Sequence, residues 1–259
     1  MSRFRVLQFN MQFGQGWDAT DPDHAPVRLE RTIDEIKSHD ADVILLQEVE
    51  WARPNGQQLT PPPNYTRLAA ELKGYHGTFA YPKPDPRELP FGIGLAIFSR
   101  GPLRDITRVD LPSPPIPFVF DGRKTTPTDR VLIAATTTLD GHDVRLLNTH
   151  LLAFFMLGTT SLENPEQRKR LAGLLRNATG PTLLGGDFNV RHHESLAAQF
   201  GNEGFRTVQS SEITWRRQPY ILDHIFHNAP LRCVGHRVSP TLASDHHALI
   251  ADFEILAAR

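Results

Sequence analysis

The sequence predicts an α/β protein in which two β-sheets pack face to face with helices outside. Three observations support this. Apolar segments of strand length follow one another with no helical pattern between them, as at residues 131–138 and 144–149 and again between 221 and 255. That disfavours a doubly wound sheet, in which strand and helix alternate strictly. Val43-Ile44-Leu45-Leu46 is continuously apolar, the pattern of a strand buried on both faces. Residues 27–38 and 165–176 instead carry apolar side chains at helical spacing.

In chain order, residues 4–9 read as a strand. Residues 27–38 read as an amphipathic helix with Leu29, Ile33 and Ile36 on one face, and 43–47 as the buried strand. Residues 65–72 are expected to be helical; 92–99, 131–138 and 144–149 are strands. The helix at 165–176 opens on Pro165, where a missing N–H costs nothing. A buried strand at 182–185 and a short helix at 195–200 follow. Strands at 221–226, 232–238 and 248–255 close the chain. Prolines cluster at 61–63, 82–90 and 112–117, as expected of surface loops between strands.

A chain of 259 residues buries about 70–75% of its unfolded surface, and one domain over residues 1–259 is expected. Lys and Arg number 28 against 29 Asp and Glu, for a net charge of −1. This argues against a generic basic protein that coats nucleic acid, though not against a local basic groove. Only Lys37, Lys73, Lys83, Lys124 and Lys169 are lysines; arginine suits bidentate phosphate contacts, but plain base composition of the genome is the first reading of the bias. The lone Cys233 excludes an internal disulfide framework and a cysteine zinc cluster. The first ten residues contain no apolar run of signal-peptide type, and no segment approaches the ~20 apolar residues of a membrane span. A cytoplasmic monomer is the expectation.

Polar residues gather at strand ends. Asn10 follows one strand, Gln47-Glu48 a second and Asn148-Thr149-His150 a third. Gly185-Gly186-Asp187-Phe188-Asn189 follows a fourth. Asp223 interrupts an apolar strand, and Ser244-Asp245-His246 precedes the last. Binding groups concentrate on loops held by a rigid scaffold, so converging ends would build one polar site at one rim. A carboxylate at Glu48, directly after a buried strand, must be solvated, paired or metal-bound. Asp187 and Asn189 are either a strand-closing Asx turn or a pair that orients water and holds a phosphate oxygen. Ser244-Asp245-His246 is either a cap or part of the site. His246 is the expected partner of Asp223. No serine sits in a Gly-x-Ser-x-Gly elbow, which weighs against serine hydrolysis.

In this order the motifs resemble the endonuclease/exonuclease/phosphatase superfamily, the group of DNase I-like metal-dependent phosphoesterases. Residues 92–100 are similar to a further strand of that group. The resemblance implies a four-layer α/β sandwich and Mg²⁺- or Mn²⁺-dependent phosphoester hydrolysis by metal-assisted attack of water. It makes Glu48 the principal metal ligand, with Asn10 beside it and Asp245 in support. It makes Asp187 the group that orients or deprotonates water, while Asn189 holds a phosphate oxygen, His246 contacts the scissile phosphate and Asp223 orients His246. His150 matches a second histidine of the DNase I, sphingomyelinase and 5-phosphatase branches, which weighs against an abasic-site endonuclease. Arg130, opening a strand, matches a phosphate-contacting arginine; a solvated edge arginine is the alternative.

The substrate is left open among nucleic acid, a phospholipid head group, a small phosphodiester and a phosphomonoester. A catalytically inactive binding module on the same fold is the rival of another class. His192 and His193, on a loop after the Asp187 motif, are either substrate contacts or, as the first reading, a surface turn. Residues 151–157, nearly all apolar, form either a core-packed helix or an exposed lip beside His150.

Overall fold

Among the described residues, fourteen strands and four α-helices order the chain. The first strands are β1 (Arg3–Asn10), β2 (Val43–Trp51), β3 (His76–Ala80), β4 (Gly92–Ser99) and β5 (Leu103–Leu111). Then come β6 (Phe118–Phe120), β7 (Arg123–Thr125), β8 (Arg130–Leu139), β9 (His142–His150) and β10 (Thr182–Asp187). The last are β11 (Arg206–Thr207), β12 (Asp223–His227), β13 (Leu231–Ser239) and β14 (Ala248–Ile255). The helices are α1 (Leu29–Ser38), α2 (Pro63–Glu71), α3 (Glu166–Arg176) and α4 (His193–Gly201). This computed structural model describes residues 3–256; Met1, Ser2 and the last three residues of the expected 1–259 span lie outside the described residues.

Two six-stranded sheets run β13-β14-β1-β2-β4-β3 and β11-β12-β10-β9-β8-β5, with a β6-β7 hairpin apart. Each has one parallel pair at its centre, β1 with β2 and β9 with β10, and antiparallel pairing elsewhere. Parallel strands deliver their C-terminal ends to one rim. Their antiparallel neighbours β14 and β12 bring N-terminal ends to the same rim. Asn10 therefore pairs with Gln47 at the end of one sheet, and Asp187 pairs with both His150 and Asp223 at the end of the other.

Side chains alternate across a strand, and this sorts the core into layers. Val6, Leu45, Ile97 and Leu249 of one sheet meet Ile133, Leu146, Leu183 and Ile225 of the other between the sheets. Leu7, Ile44, Leu46 and Phe98 face outward against Ile33 and Ile36 of α1 and Leu68 of α2. Leu132, Leu147, Leu184 and Phe226 face α3 and α4 through Leu171, Leu175, Leu196 and Phe200. The result is a four-layer α/β sandwich, the fold class expected from the sequence. Among the described residues no helix is long and apolar enough to cross a membrane.

Several boundaries differ from expectation. α1 starts at Leu29, because Val27 bridges to Gln15 and is exposed. Pro165 occupies the N-cap rather than the first helical position. The strand expected at 221–226 begins at Asp223. β3, β5, the β6-β7 hairpin and β11 were not expected. β3, β5 and β11 are sheet edges; edge strands need less apolar character, and Leu103–Leu111 is half polar and largely exposed.

Candidate active site at the sheet rim

Glu48 leaves the β2 ladder at a bulge between Gln47 and Glu50, with φ at +50°. The bulge re-aims its side chain out of the strand's alternation and toward the rim. Gly92 on the facing strand makes this possible: a Cβ there would overlap the Glu48 side chain. At the end of β10, Asp187 Oδ1 accepts the backbone N–H of Asn189 at 2.9 Å. This is an Asx turn, and Asn189 sits at φ +51° rather than in extended backbone. The strand-closing Asx turn is therefore present. The Asn189 amide donates to His150 Nε2 at 3.0 Å and to the Leu151 carbonyl at 3.0 Å.

Asp187 Oδ2 is where the segments meet. Asn10 Nδ2 donates to it at 3.1 Å, and His150 Nε2 and His246 Nε2 each lie 3.6 Å away. The same Asn10 Nδ2 donates to Glu48 Oε1 at 3.0 Å. Asn10 does sit beside Glu48, but it turns its N–H toward both carboxylates, while its oxygen accepts from the backbone of Gln12 at 3.1 Å. His246 Nδ1 and Asp223 Oδ2 are 2.7 Å apart. Ser244 serves as a tie: its hydroxyl donates to the Asn10 carbonyl at 2.8 Å and accepts the N–H of His246 at 3.1 Å. Asp245 is adjacent, with Oδ2 accepting from Arg217 Nε at 2.6 Å and Trp215 Nε1 at 3.2 Å.

Arg130 opens β8 with its guanidinium 3.6 Å from Glu88. It is mostly buried, its Nε has no hydrogen-bond partner, and its charge reaches Glu48 and His150. It is therefore not a solvated edge residue. His193 starts α4 buried, its ring beside that of His224 and its Nε2 3.2 Å from the Ser210 carbonyl. The surface turn expected there applies only to His192, which is exposed. The 151–157 segment is both alternatives at once: Leu151, Leu152 and Phe154 are buried, whereas Met156 is 65% exposed at the tip of a 3-10 turn.

Charge and burial set the protonation states. Burial, aided by the negative charge of Asp245, pushes the Glu48 carboxyl up to about 7. Burial and the neighbouring Asp223 push Asp187 up to about 8. Burial alone would lower His246, but the carboxylates of Asp223 and Asp187 outweigh it and raise the imidazole to about 10. Burial also opposes the charge on Asp223, yet the His246 imidazolium holds its carboxyl below the usual range. His150 falls to about 3 through burial and the nearby Arg130. It is neutral at pH 7, accepts at Nε2 from Asn189 and so carries its proton on Nδ1.

Asp187, Asp223 and His246 offer ligand atoms within 4.8 Å of one another, a group able to hold a cation. The short Asp223–His246 contact commits one of these pairs to a hydrogen bond. Glu48 and Asp187 offer oxygen donors whose negative charge is opposed by burial and by other carboxylates. That donor chemistry fits a hard divalent cation.

Two supporting elements escaped the sequence reading, Gln8 and the loop that carries Trp215 and Arg217. Gln8 Nε2 donates to Gln47 at 2.6 Å and to Asp223 Oδ1 at 3.1 Å, tying the sheets together beneath the site. Asn148 continues this seam by accepting from Gln47 Nε2 at 2.7 Å. A lone amide in an apolar strand was the available signal for Gln8. Trp215 and Arg217 stand in a loop with no signal of their own.

The profile of the Endonuclease/Exonuclease/phosphatase family matches residues 7–246. Among solved structures, the endonuclease/exonuclease/phosphatase from Bacteroides vulgatus is 18% identical with TM-score 0.72, over 98% of this chain and 100% of that one. The protein of the same description from Beutenbergia cavernae is 19% identical with TM-score 0.71, over 100% of this chain and 73% of that one. D. rerio TDP2 complexed with single strand DNA product is 18% identical with TM-score 0.65, over 98% and 100%. Comparison with curated proteins finds no match. The chain belongs to the endonuclease/exonuclease/phosphatase family.

Proposed function

We propose that the protein is a Mg²⁺- or Mn²⁺-dependent phosphoester hydrolase, acting by attack of water on a phosphodiester. The observation that carries this reading is the meeting of Asn10, His150 and His246 at one oxygen of Asp187, with Glu48 joined through Asn10. Glu48 would hold the cation, with Asp245 contributing negative charge beside it. When bound, the cation neutralises charge that develops on the phosphoryl group.

The residues divide the remaining work. Asp187 takes the proton of the attacking water; its raised pKa suits a base near neutral pH. His246, an imidazolium steadied by Asp223, gives its proton to the leaving oxygen. Neutral His150 has no proton on Nε2 to give and accepts one N–H of the Asn189 amide. To hold a phosphate oxygen, Asn189 exchanges that bond for one to the phosphate, because its other N–H is given to the Leu151 carbonyl. Arg130 adds positive charge behind the phosphate. Asn10 holds the Glu48 and Asp187 carboxylates apart at a set spacing. Arg217 and Trp215 hold Asp245.

The test is hydrolysis of a panel spanning DNA, RNA, phospholipid head groups, inositol phosphates and an aryl phosphodiester, with Mg²⁺ or Mn²⁺. Turnover of at least one class is expected, and its loss in Glu48→Gln and His246→Ala. No turnover across the panel, or full activity in both variants, would remove the proposal.

A further inference from the structure

Arg168 on α3 is buried among neutral partners. Its Nη1 donates to Ser161 Oγ at 3.2 Å and Ser195 Oγ at 3.1 Å. Nη2 donates to the Ser195 carbonyl at 2.7 Å, and Nε to Gln199 Oε1 at 2.8 Å. The side chain is 2% exposed, and none of these partners is a carboxylate. Burial lowers its pKa, but a guanidinium stays charged. Buried charges in proteins are ordinarily paired, so a positive charge here invites an anion.

In front of Ser161 and Ser195 lies a cleft of about 60 Å³, between the 154–162 lip and the turn that leads into α4. Asn189 lines it on the side of the reactive centre, and Arg191 and His192 also line it. No lining residue is acidic; Glu163 turns its carboxylate onto Thr159 and Thr160 at 2.7 and 3.1 Å. The Arg191 guanidinium is fixed over the Tyr220 ring at 4.9 Å. Ser161 Oγ accepts from Arg168 and retains its own O–H to donate. The space admits a few water-sized bodies, which suits a phosphate group and is too small for a nucleobase.

We propose that this cleft binds a second, non-scissile phosphate of the substrate, so that the enzyme selects phosphoesters bearing another phosphate beside the bond it cleaves. This rests on the hydrolase reading above. Asn189 joins the two positions, touching His150 on one side and lining the cleft on the other. The second phosphate is either the next diester of a polynucleotide backbone or a terminal monoester.

Steady-state kcat/KM for d(TpT), d(TpTpT) and d(pTpT) tests this in the wild type and in Ser161→Ala and Arg191→Gln, chosen because neither removes the buried guanidinium. The wild type should prefer at least one two-phosphate substrate by about tenfold or more, the scale of a charge-assisted hydrogen bond. Preference for d(TpTpT) identifies a backbone phosphate, and preference for d(pTpT) a terminal one. Both variants should bring the ratio toward one. A wild type without preference, or variants that keep it, overturns the proposal. If the dinucleotides are not cleaved, the hydrolase reading fails only when no member of the panel above is cleaved either. The subsite is then judged by calorimetric titration with inorganic phosphate: the Ser161→Ala/Arg191→Gln double variant should bind one equivalent fewer than wild type. Equal stoichiometry, or no binding to wild type, overturns it.

Discussion

At the residue scale, the site depends on where Glu48 can stand. Its positive φ and its place opposite Gly92 are one arrangement, since the bulge needs the room that a missing Cβ leaves. Gly92→Ala should therefore cost about a hundredfold or more in kcat/KM, as expected for an ångström-scale misplacement, while circular dichroism shows the fold retained. Wild-type activity in that variant would break the link. The raised Glu48 pKa has its own consequence. Below about 7 the carboxyl is protonated and competes with a cation; above it the charged form is available. Mn²⁺ affinity measured by calorimetry should fall as pH drops from 8 to 6, and a flat profile would exclude Glu48 as the ligand. The Asp223–His246 contact predicts a third result. Asp223→Asn removes the carboxylate that most favours the charged imidazole, so the His246 pKa should drop from about 10 toward its ordinary value. NMR titration of the ring reads that shift, and kcat should fall about a hundredfold. An unmoved pKa would assign the charge on His246 to other groups.

At the element scale, the two central parallel pairs place the chemistry, and close backbone approach maintains them. A Cβ on Gly186 would collide with the Thr149 carbonyl of the adjacent strand. Gly186→Ala should push β9 from β10, destabilise the fold by about 1–3 kcal/mol and displace Asp187 and His150 together. Urea unfolding with a parallel activity assay checks both effects; a stable but inactive variant would separate them. The strands carrying this geometry were legible because they are apolar on both faces: Val43-Ile44-Leu45-Leu46 and Thr182-Leu183-Leu184 needed no partner to be read as buried strands. The edge strands β3, β5 and β11 were not, because pairing with an existing sheet fixes them despite polar sequences such as Leu103–Leu111, whereas the edge strand β13 was read at 232–238. The Asx turn at Asp187 was readable as an alternative from residue types alone, but the direction of the Asn189 amide was not.

At the scale of the molecule, residues 10, 48, 150, 187, 223 and 246 are remote in sequence and gather only because both sheets end at one rim. Their types and order were visible in the chain. Their contacts were not, since nothing local to Asn10 shows that its amide would bridge Glu48 and Asp187. Likewise, the loop that carries Trp215 and Arg217 is positioned by Asp245 itself, across 30 and 28 residues. The central claim is that these groups work as one centre, and the most direct measurement is a double-mutant cycle on Asp187 and His246. With the best substrate from the panel and saturating Mn²⁺, Asp187→Asn and His246→Ala should each lower kcat severely. The double variant should then lose little more than the worse single one, as groups acting as a unit do. Losses that multiply would show base and acid working independently and would contradict the account.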